Sequence, residues 1–259
     1  MILSGCLMIT ITSRNNAVVR HFRKLASDGN YRRESAEYVC DGAKMLEEAI
    51  LAGTDIGTVL WKDGTPRCAV EAKEQFLLPP DLFDYVSTMK NSPGPLFTAA
   101  ISSCPQKGPV SSAIILENVQ DPGNIGTVIR SASAFQIDSV VLIDACADCY
   151  NPKTVRASMG AIFRQRIDTL RLPELEGFLK QFSLTLYGAD LSEDASDIRG
   201  VRLQHAAVAV GSEGRGLSRE LLNLCRKRII IPMDPHSESL NAAVASAVIM
   251  WEMKRQDLK

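Results

Sequence analysis

Side chains able to do chemistry gather in three stretches, each beside glycines or prolines. The first is Asp121-Pro-Gly-Asn-Ile-Gly126, with Arg130 a little further on. The second is Gly211-Ser-Glu-Gly-Arg-Gly216, and the third runs from Ile229 through Pro232, Met233, Pro235 and His236 to Ser239-Leu240-Asn241. In the third, the β-branched run Ile229–Ile231 reads as a buried strand. Pro232 and Pro235 end its pairing, because each lacks an N–H and fixes its own φ. Ser237 or Ser239 can then cap the small-faced apolar helix that follows. A loop between a strand end and a helix N-terminus is the usual ligand position in an α/β sheet. Asn124 can cap the helix after it or act on a ligand directly. Glu213 reads either as a capping carboxylate or as a group that ties loops together or orients substrate. The glycines around it permit close backbone approach and positive φ, which sets Gly211 itself against a ligand.

Other chemistries have less support. With only three histidines, His21, His205 and His236, a Ser–His–Asp hydrolase is poorly served. Cys146-Ala-Asp-Cys149 is a lone CxxC without a second pair, so a structural role outweighs a zinc or redox site and no metal is expected. Seven cysteines without paired spacing suit reduced thiols in a cytosol. A dinucleotide-binding turn needs Gly-x-Gly-x-x-Gly after the first strand, and Asp121-Pro-Gly-Asn-Ile-Gly does not supply it. No apolar run approaches the roughly 20 residues of a membrane span. Leu3-Ser-Gly-Cys6 resembles a lipoprotein cleavage box, but it lacks a basic segment and room for an apolar one. Chance accounts for it, and Met8 is an alternative start.

Net charge is −1, so affinity for a polyanion must come from local patches. Arg14, Arg20, Arg23, Lys24, Arg32 and Arg33 outnumber the acids around them. They read as a solvated helix face one by one, and taken together as a candidate patch for a polyanion backbone. Residues 153–166 carry Lys153, Arg156, Arg164 and Arg166 and no acid, a second candidate phosphate track.

Periodicity supplies the scaffold around these groups. A helix over 13–27 is expected from a capping Ser13 and apolar Val18, Val19, Phe22 and Leu25. A strand at Tyr38–Cys40, a helix over 42–53, a strand at Ile56–Trp61, a helix over 71–78 and a short element at 82–86 come next. Residues 88–109 carry four prolines and two glycines and read as an interdomain linker, with an edge strand at 96–101. From residue 112 short apolar strands are expected at Ala113–Leu116, Ser139–Ile143, Leu184–Tyr187, Ala206–Val210 and Arg228–Ile231. They alternate with helices at Ile125–Phe135, Pro152–Ala157, Ser218–Leu224 and Ser239–Lys254, which implies a mostly parallel sheet buried on both faces. With 259 residues and 46% hydrophobic content, the chain can bury one large or two medium cores.

In order and spacing, Leu116–Phe135, Val208–Ser218 and Ile229–Trp251 resemble the three motifs of the SpoU/TrmH branch of the SPOUT methyltransferases. Those enzymes move a methyl group from S-adenosylmethionine to a ribose 2′-hydroxyl of tRNA or rRNA. The resemblance is close over residues 110–256 and looser over 10–105. It implies an α/β fold: a C-terminal SPOUT domain over 110–259 with a trefoil-knotted parallel sheet, preceded over 8–105 by a small α/β RNA-binding domain similar to ribosomal protein L30e. The usual Glu-Gly at the start of that domain's helix is Asp41-Gly42 here, a mild departure.

The same resemblance assigns catalytic roles to Asn124, Arg130, Glu213, Ser239 and Asn241. It gives cofactor contacts to Gly211, Ile231, Met233 and Leu240, with Leu186-Tyr-Gly-Ala189 as a further wall in which Leu186 and Gly188 make the contacts. The family gives this arginine the activation of the 2′-hydroxyl. Arginine keeps its proton to about pH 12 or above, so Arg130 stands either as an unusual base assisted by RNA phosphate or as a cation beside the emerging alkoxide. The resemblance also implies a cytoplasmic homodimer with sites completed across the interface, no membrane contact, and RNA as partner. The L30e-like half favours rRNA over tRNA. Val248, Met250 and Trp251 on the last helix are a candidate dimer surface or part of the monomer core. A non-catalytic RNA-binding protein of the same fold and a dinucleotide oxidoreductase are the competing readings.

Overall fold

The computed structural model describes residues 8–101, 108–234, 236 and 239–255. It divides into two compact units, residues 1–103 with 150–156, and residues 104–149 with 157–259. Placing residues 150–156 with the first unit differs from the expected boundaries. Tyr150 stacks on Tyr38 with ring centroids 4.8 Å apart, and Val155 and Arg156 face Val39, Asp41 and Met45 across a small void.

The first unit holds β1 (Ile9–Thr10), α1 (Ala17–Ser27), α2 (Gly29–Ser35), β2 (Glu37–Asp41), α3 (Ala43–Leu51), β3 (Ile56–Lys62), β4 (Glu74–Leu78), α4 (Pro80–Val86) and β5 (Leu96–Ala100). Its five-stranded sheet runs β1-β4-β3-β5-β2. The apolar positions expected to bury do so: Val19, Phe22 and Leu25 of α1 pack with Leu60, Leu78, Phe83 and Leu96.

Three local expectations are corrected. α1 is capped by Asn16, whose Oδ1 accepts from Val18 N at 2.8 Å, whereas Ser13 Oγ only holds the preceding turn through Asn15 N at 3.2 Å. Residues 74–78 form a strand rather than a helix. Parallel pairing with β3 and β1, burial of Leu78 and the Trp61 Nε1 donation to Gln75 Oε1 at 3.0 Å outweigh the local helix propensity. β5 is central rather than an edge, antiparallel to both β2 and β3.

In the second half come β6 (Ser112–Glu117), α5 (Pro122–Ala134), β7 (Ser139–Ile143), α6 (Pro152–Ala157), β8 (Ile167–Leu170), α7 (Leu172–Phe182), β9 (Thr185–Ala189), β10 (Ser196–Asp197), β11 (Ala206–Gly211), α8 (Arg219–Leu224), β12 (Lys227–Ile230) and α9 (Ala242–Arg255). The second unit's seven-stranded sheet is parallel throughout, in the order β10-β12-β9-β11-β6-β7-β8. β11 is buried along almost its whole length, as a strand covered on both faces must be. The register of β11 on β6 sets where their loops emerge. Gly211 at the end of β11 pairs with Glu117 at the end of β6, so the loops after these strands leave the sheet side by side. Glu117, 1% exposed, receives Ser218 N at 2.7 Å and Ser218 Oγ at 2.6 Å, which anchors the start of α8 to β6.

Candidate functional site

Each of the three polar stretches sends one side chain to a common point. Asp121, not Asn124, caps α5, accepting from Gly123 N at 2.8 Å. Asn124 is left free to reach across the loops. Its Nδ2 donates to Glu213 Oε1 at 2.6 Å, and its Oδ1 accepts from Asn241 Nδ2 at 3.1 Å. The same Glu213 oxygen accepts from Asn241 Nδ2 and from Ala242 N, both at 3.3 Å. Asn241 is the cap of α9, its Oδ1 taking Ala243 N at 2.9 Å and Val244 N at 3.3 Å. That duty fixes which end of the amide is oxygen and aims the NH2 at Glu213. Ser239 precedes the helix and does not cap it, and Ser237 lies outside the described residues. The Glu213 carboxylate therefore sits at the N-terminal end of α9, where the helix dipole favours negative charge.

Beside this ring is a cavity of about 350 Å³ at the C-terminal ends of β9, β11 and β12. Gly211, Glu213, Ile231, Met233, Ser239 and Leu240 all line it. Leu186 and Gly188 do not: Leu186 belongs to the buried core, and Gly188 lies under Cys225, Leu217 and Leu222. Of the expected wall Leu186–Ala189 only Ala189 lines the cavity, and Asp190 and Leu191 complete it. β9 ends two residues later than the expected end at Tyr187, which carries Leu186 and Gly188 below the rim.

Gly211 also differs from expectation in its reason for being glycine. A Cβ there would lie 2.1 Å from the Gly216 carbonyl carbon and oxygen and 2.5 Å from Leu217 N. The space is taken by the returning turn itself, closed by Gly216 N donating to Ser212 O at 2.9 Å, with Gly216 at φ +65°.

Arg130 is exposed on α5 and, among the described residues, makes no hydrogen bond or ion pair. Six residues along a helix place it about 9 Å up the axis and about 120° around from Asn124. It does not line its own chain's cavity.

The cavity suits S-adenosylmethionine by size and by lining. Its volume falls in the usual range for small-ligand sites. Ile229, Ile231, Met233 and Leu240 offer apolar contact for a flat heterocycle, and the carboxylates of Asp190 and Glu213 are placed to attract a cationic sulfonium. The Cys225 thiol, beneath the β9 wall, is pushed up to about 12 by burial and stays protonated. Burial likewise raises Cys146, whose sulfur donates to Leu116 O at 3.3 Å. Among the described residues no cluster of potential ligands could hold a metal ion.

The basic residues separate. Arg14, Arg20, Arg23, Lys24 and Arg33 are exposed, with Arg14 and Arg23 both stacked on Tyr85 and Lys24 over Tyr31. Arg32 is 3% exposed and donates to Leu25 O. It is a structural arginine that ties α1 to α2, not a phosphate ligand. Lys153 and Arg156 are exposed and belong to the first unit, while Arg166 is held by Asp168 at 2.8 Å and stacks on Phe182.

Sequence reasoning missed Asp190, Glu117 and Arg215. The first two end apolar strands, a position that would have flagged them.

A parallel sheet with a glycine turn, a capped small-faced helix and a polar ring at its C-terminal rim defines a small-ligand transferase site of the SPOUT type. The chain belongs to the SpoU rRNA Methylase family, whose model matches residues 111–251. It is 30% identical over 251 residues to the 23S rRNA (guanosine(2553)-2'-O)-methyltransferase RlmP of Bacillus subtilis, covering 95% of this chain and 100% of that one. It is 28% identical to a 23S rRNA (uridine(2479)-2'-O)-methyltransferase of Streptomyces viridochromogenes, over 95% of this chain and 92% of the relative. The fold matches that of AviRb from the same organism, a SpoU methyltransferase solved with AdoMet, at a TM-score of 0.86 and 24% identity, covering 94% of this chain and 99% of that one.

Proposed function

We propose that this chain is an S-adenosylmethionine-dependent RNA methyltransferase that modifies a ribose 2′-hydroxyl of rRNA, working as a homodimer in the cytoplasm. The observation that carries the reading is the ring of Asn124, Glu213 and Asn241, one residue from each motif, on the rim of a cavity fit for the methyl donor. When bound, the donor supplies a methyl on an already cationic sulfur, so the protein has little electrophile activation to do. Its residues must hold, align and manage one proton. Ile231, Met233 and Leu240 would hold the adenine side, and the Gly211–Gly216 turn would close over the donor. The ring keeps that turn and the start of α9 in fixed register. Arg130 meets the 2′-oxygen as its proton leaves.

Two features support the homodimer. Val248 and Trp251, 38% and 51% exposed, follow Val244, 49% exposed, along one face of α9, whereas Met250 is buried and belongs to the monomer core rather than to the surface expected of it. Arg130 stands away from its own cavity and is available to that of a second copy. The first unit's exposed Arg14, Arg20, Arg23, Lys24 and Arg33 serve as an RNA contact in an L30e-like domain, and the second unit carries the knot of the SPOUT fold. No helix among the described residues is long and apolar enough to cross a membrane. The deciding experiment maps ribose methylation across total RNA from cells with and without the protein. One missing 2′-O-methyl in rRNA supports the reading, a tRNA position moves the substrate, and no change in either overturns it.

A further inference from the structure

At the opposite end of the same strands lies a second cleft, of about 560 Å³, that the methyl-transfer reading does not use. The donor cavity takes the C-terminal end of β9 at Ala189, and this cleft takes its N-terminal end at Thr185. Four residue steps of strand set the two apart by about 13 Å. Its walls are fixed to β9. Thr185 N donates to His205 O at 2.9 Å, and Tyr187 Oη donates to Arg202 O at 3.2 Å. Arg226 N donates to Leu186 O at 2.9 Å on the other side, and Lys227 pairs with Tyr187.

The lining carries Arg202, His205, Arg226 and Lys227 and no carboxylate. Among the described residues none of these four forms an ion pair; Arg202 is met only by the neutral Gln204, at 2.8 Å from Nε. Elsewhere in this unit Arg166, Arg171, Arg199, Arg228 and Arg255 are each matched by an acid, whereas Arg130, Arg215 and Arg219 stand singly rather than gathered in one cleft. In a chain of net charge −1, three permanent cations gathered without a counter-charge repel one another unless an anion joins them.

We propose that this cleft binds the phosphate backbone of the RNA substrate, as a second point of contact on the catalytic unit remote from the reacting ribose. The proposal rests on RNA being the substrate. Arg202 on one segment and Arg226-Lys227 on another suit successive phosphates, because guanidinium forks grip phosphate oxygens and the lysine adds a point charge. The contact carries no sequence information and orients the RNA.

The test measures binding of a labelled RNA stem-loop by the full-length protein across a salt series, for the wild type and for Arg226→Ala/Lys227→Ala. Loss of two phosphate contacts lowers the slope of log affinity against log salt by about 1.4 to 1.8, which is about 25- to 60-fold in affinity at about 0.1 M salt. The control, Arg171→Ala/Lys180→Ala, removes the same charge from α7 and leaves the slope nearly unchanged. S-adenosylmethionine affinity by calorimetry stays at the wild-type value in both. Equal slopes for wild type and cleft variant, or equal losses in cleft variant and control, overturn the proposal, as does absence of RNA binding by the wild type. If the cleft variant loses inorganic pyrophosphate but keeps RNA, the cleft is a small-anion site and the proposal falls. If it loses RNA while no form transfers a methyl group, the cleft stands and the enzymatic reading fails.

Discussion

One oxygen atom, Glu213 Oε1, receives three donors from two other motifs, and its neighbours are semi-exposed amides that water could also serve. Its replacement is therefore informative by degree. Glu213→Gln keeps an acceptor oxygen and loses only the charge facing α9, worth about 0.3–1 kcal/mol at a helix terminus. Glu213→Ala removes the acceptor and costs about 1 kcal/mol or more. Melting temperatures should rank wild type, then Gln, then Ala. Methyl transfer should follow the same order if the residue positions the loops, and equal inactivity of Gln and Ala would make the carboxylate a proton carrier instead. Arg130 gives the opposite pattern. Exposed and without a partner among the described residues, it can be lost without structural cost. Arg130→Ala should leave stability and S-adenosylmethionine affinity unchanged while lowering kcat by about 100-fold or more, the scale of losing a charge-stabilising group. Arg130→Lys separates the two roles. A cation beside an alkoxide tolerates lysine in part at every pH, whereas a base role gives a pH profile shifted toward that of an amine.

The turn after β11 shows how an element constrains a site. Gly211→Ala forces a Cβ onto the Gly216 backbone, so the turn must open before any ligand arrives. The variant should lose donor binding and show faster amide exchange confined to residues 211–218, with other exchange rates preserved. Slow exchange there with lost binding would return the clash to the ligand.

In the first unit, the end of β2 holds Asp41 against Ser87 Oγ at 2.6 Å and Ser92 Oγ. Burial raises its pKa, and the serine hydrogen bonds and the charges of Arg156 and Lys62 only partly offset that. A raised folded-state value means that the folded protein holds the proton more tightly. The associated stability is full below the unfolded value of about 3.9 and is lost as pH rises through the folded one. Relative to Asp41→Asn, wild-type melting temperature should thus fall between acid and neutral pH; a parallel pair of curves would remove Asp41 as the cause.

These elements also show what the sequence could tell. β7 and α6 were legible to the residue, because Val140–Ile143 is an unbroken apolar run and Pro152 opens a helix. β4 was not, since Glu71-Ala-Lys-Glu-Gln has helical propensity and only pairing with β3 makes it a strand. At the site, the polar residues were recognisable by motif, but Asn124 as a bridge rather than a cap depends on Asp121 taking the cap. Arg32 looked like its basic neighbours because burial is invisible to charge counting. Leu186 and Gly188 were misplaced because β9 runs two residues past its expected end, which moves rim residues into the core.

For the molecule as a whole, the proposed dimer makes a prediction that no single chain can satisfy. Arg130→Ala and Glu213→Ala should each be inactive alone. If the arginine serves the partner's cavity, mixed dimers regain one complete site per pair, so refolded mixtures recover part of wild-type activity. Adding Val244→Glu/Val248→Glu to both, on the exposed face of α9, should abolish that recovery and shift sedimentation from dimer to monomer. No recovery in mixtures that sediment as dimers would place each Arg130 with its own chain's cavity.

Residues 150–156 count with the first unit although the chain on either side of them belongs to the second. The polypeptide therefore passes between units three times rather than once. A fragment cut between β5 and β6 keeps the catalytic residues but strands Tyr150 without Tyr38. Transplanting either unit into another protein requires three splice points to be chosen together. Such an arrangement resists modular shuffling: the two units can diversify by point substitution, but exchange of one for a foreign domain is penalised at every seam.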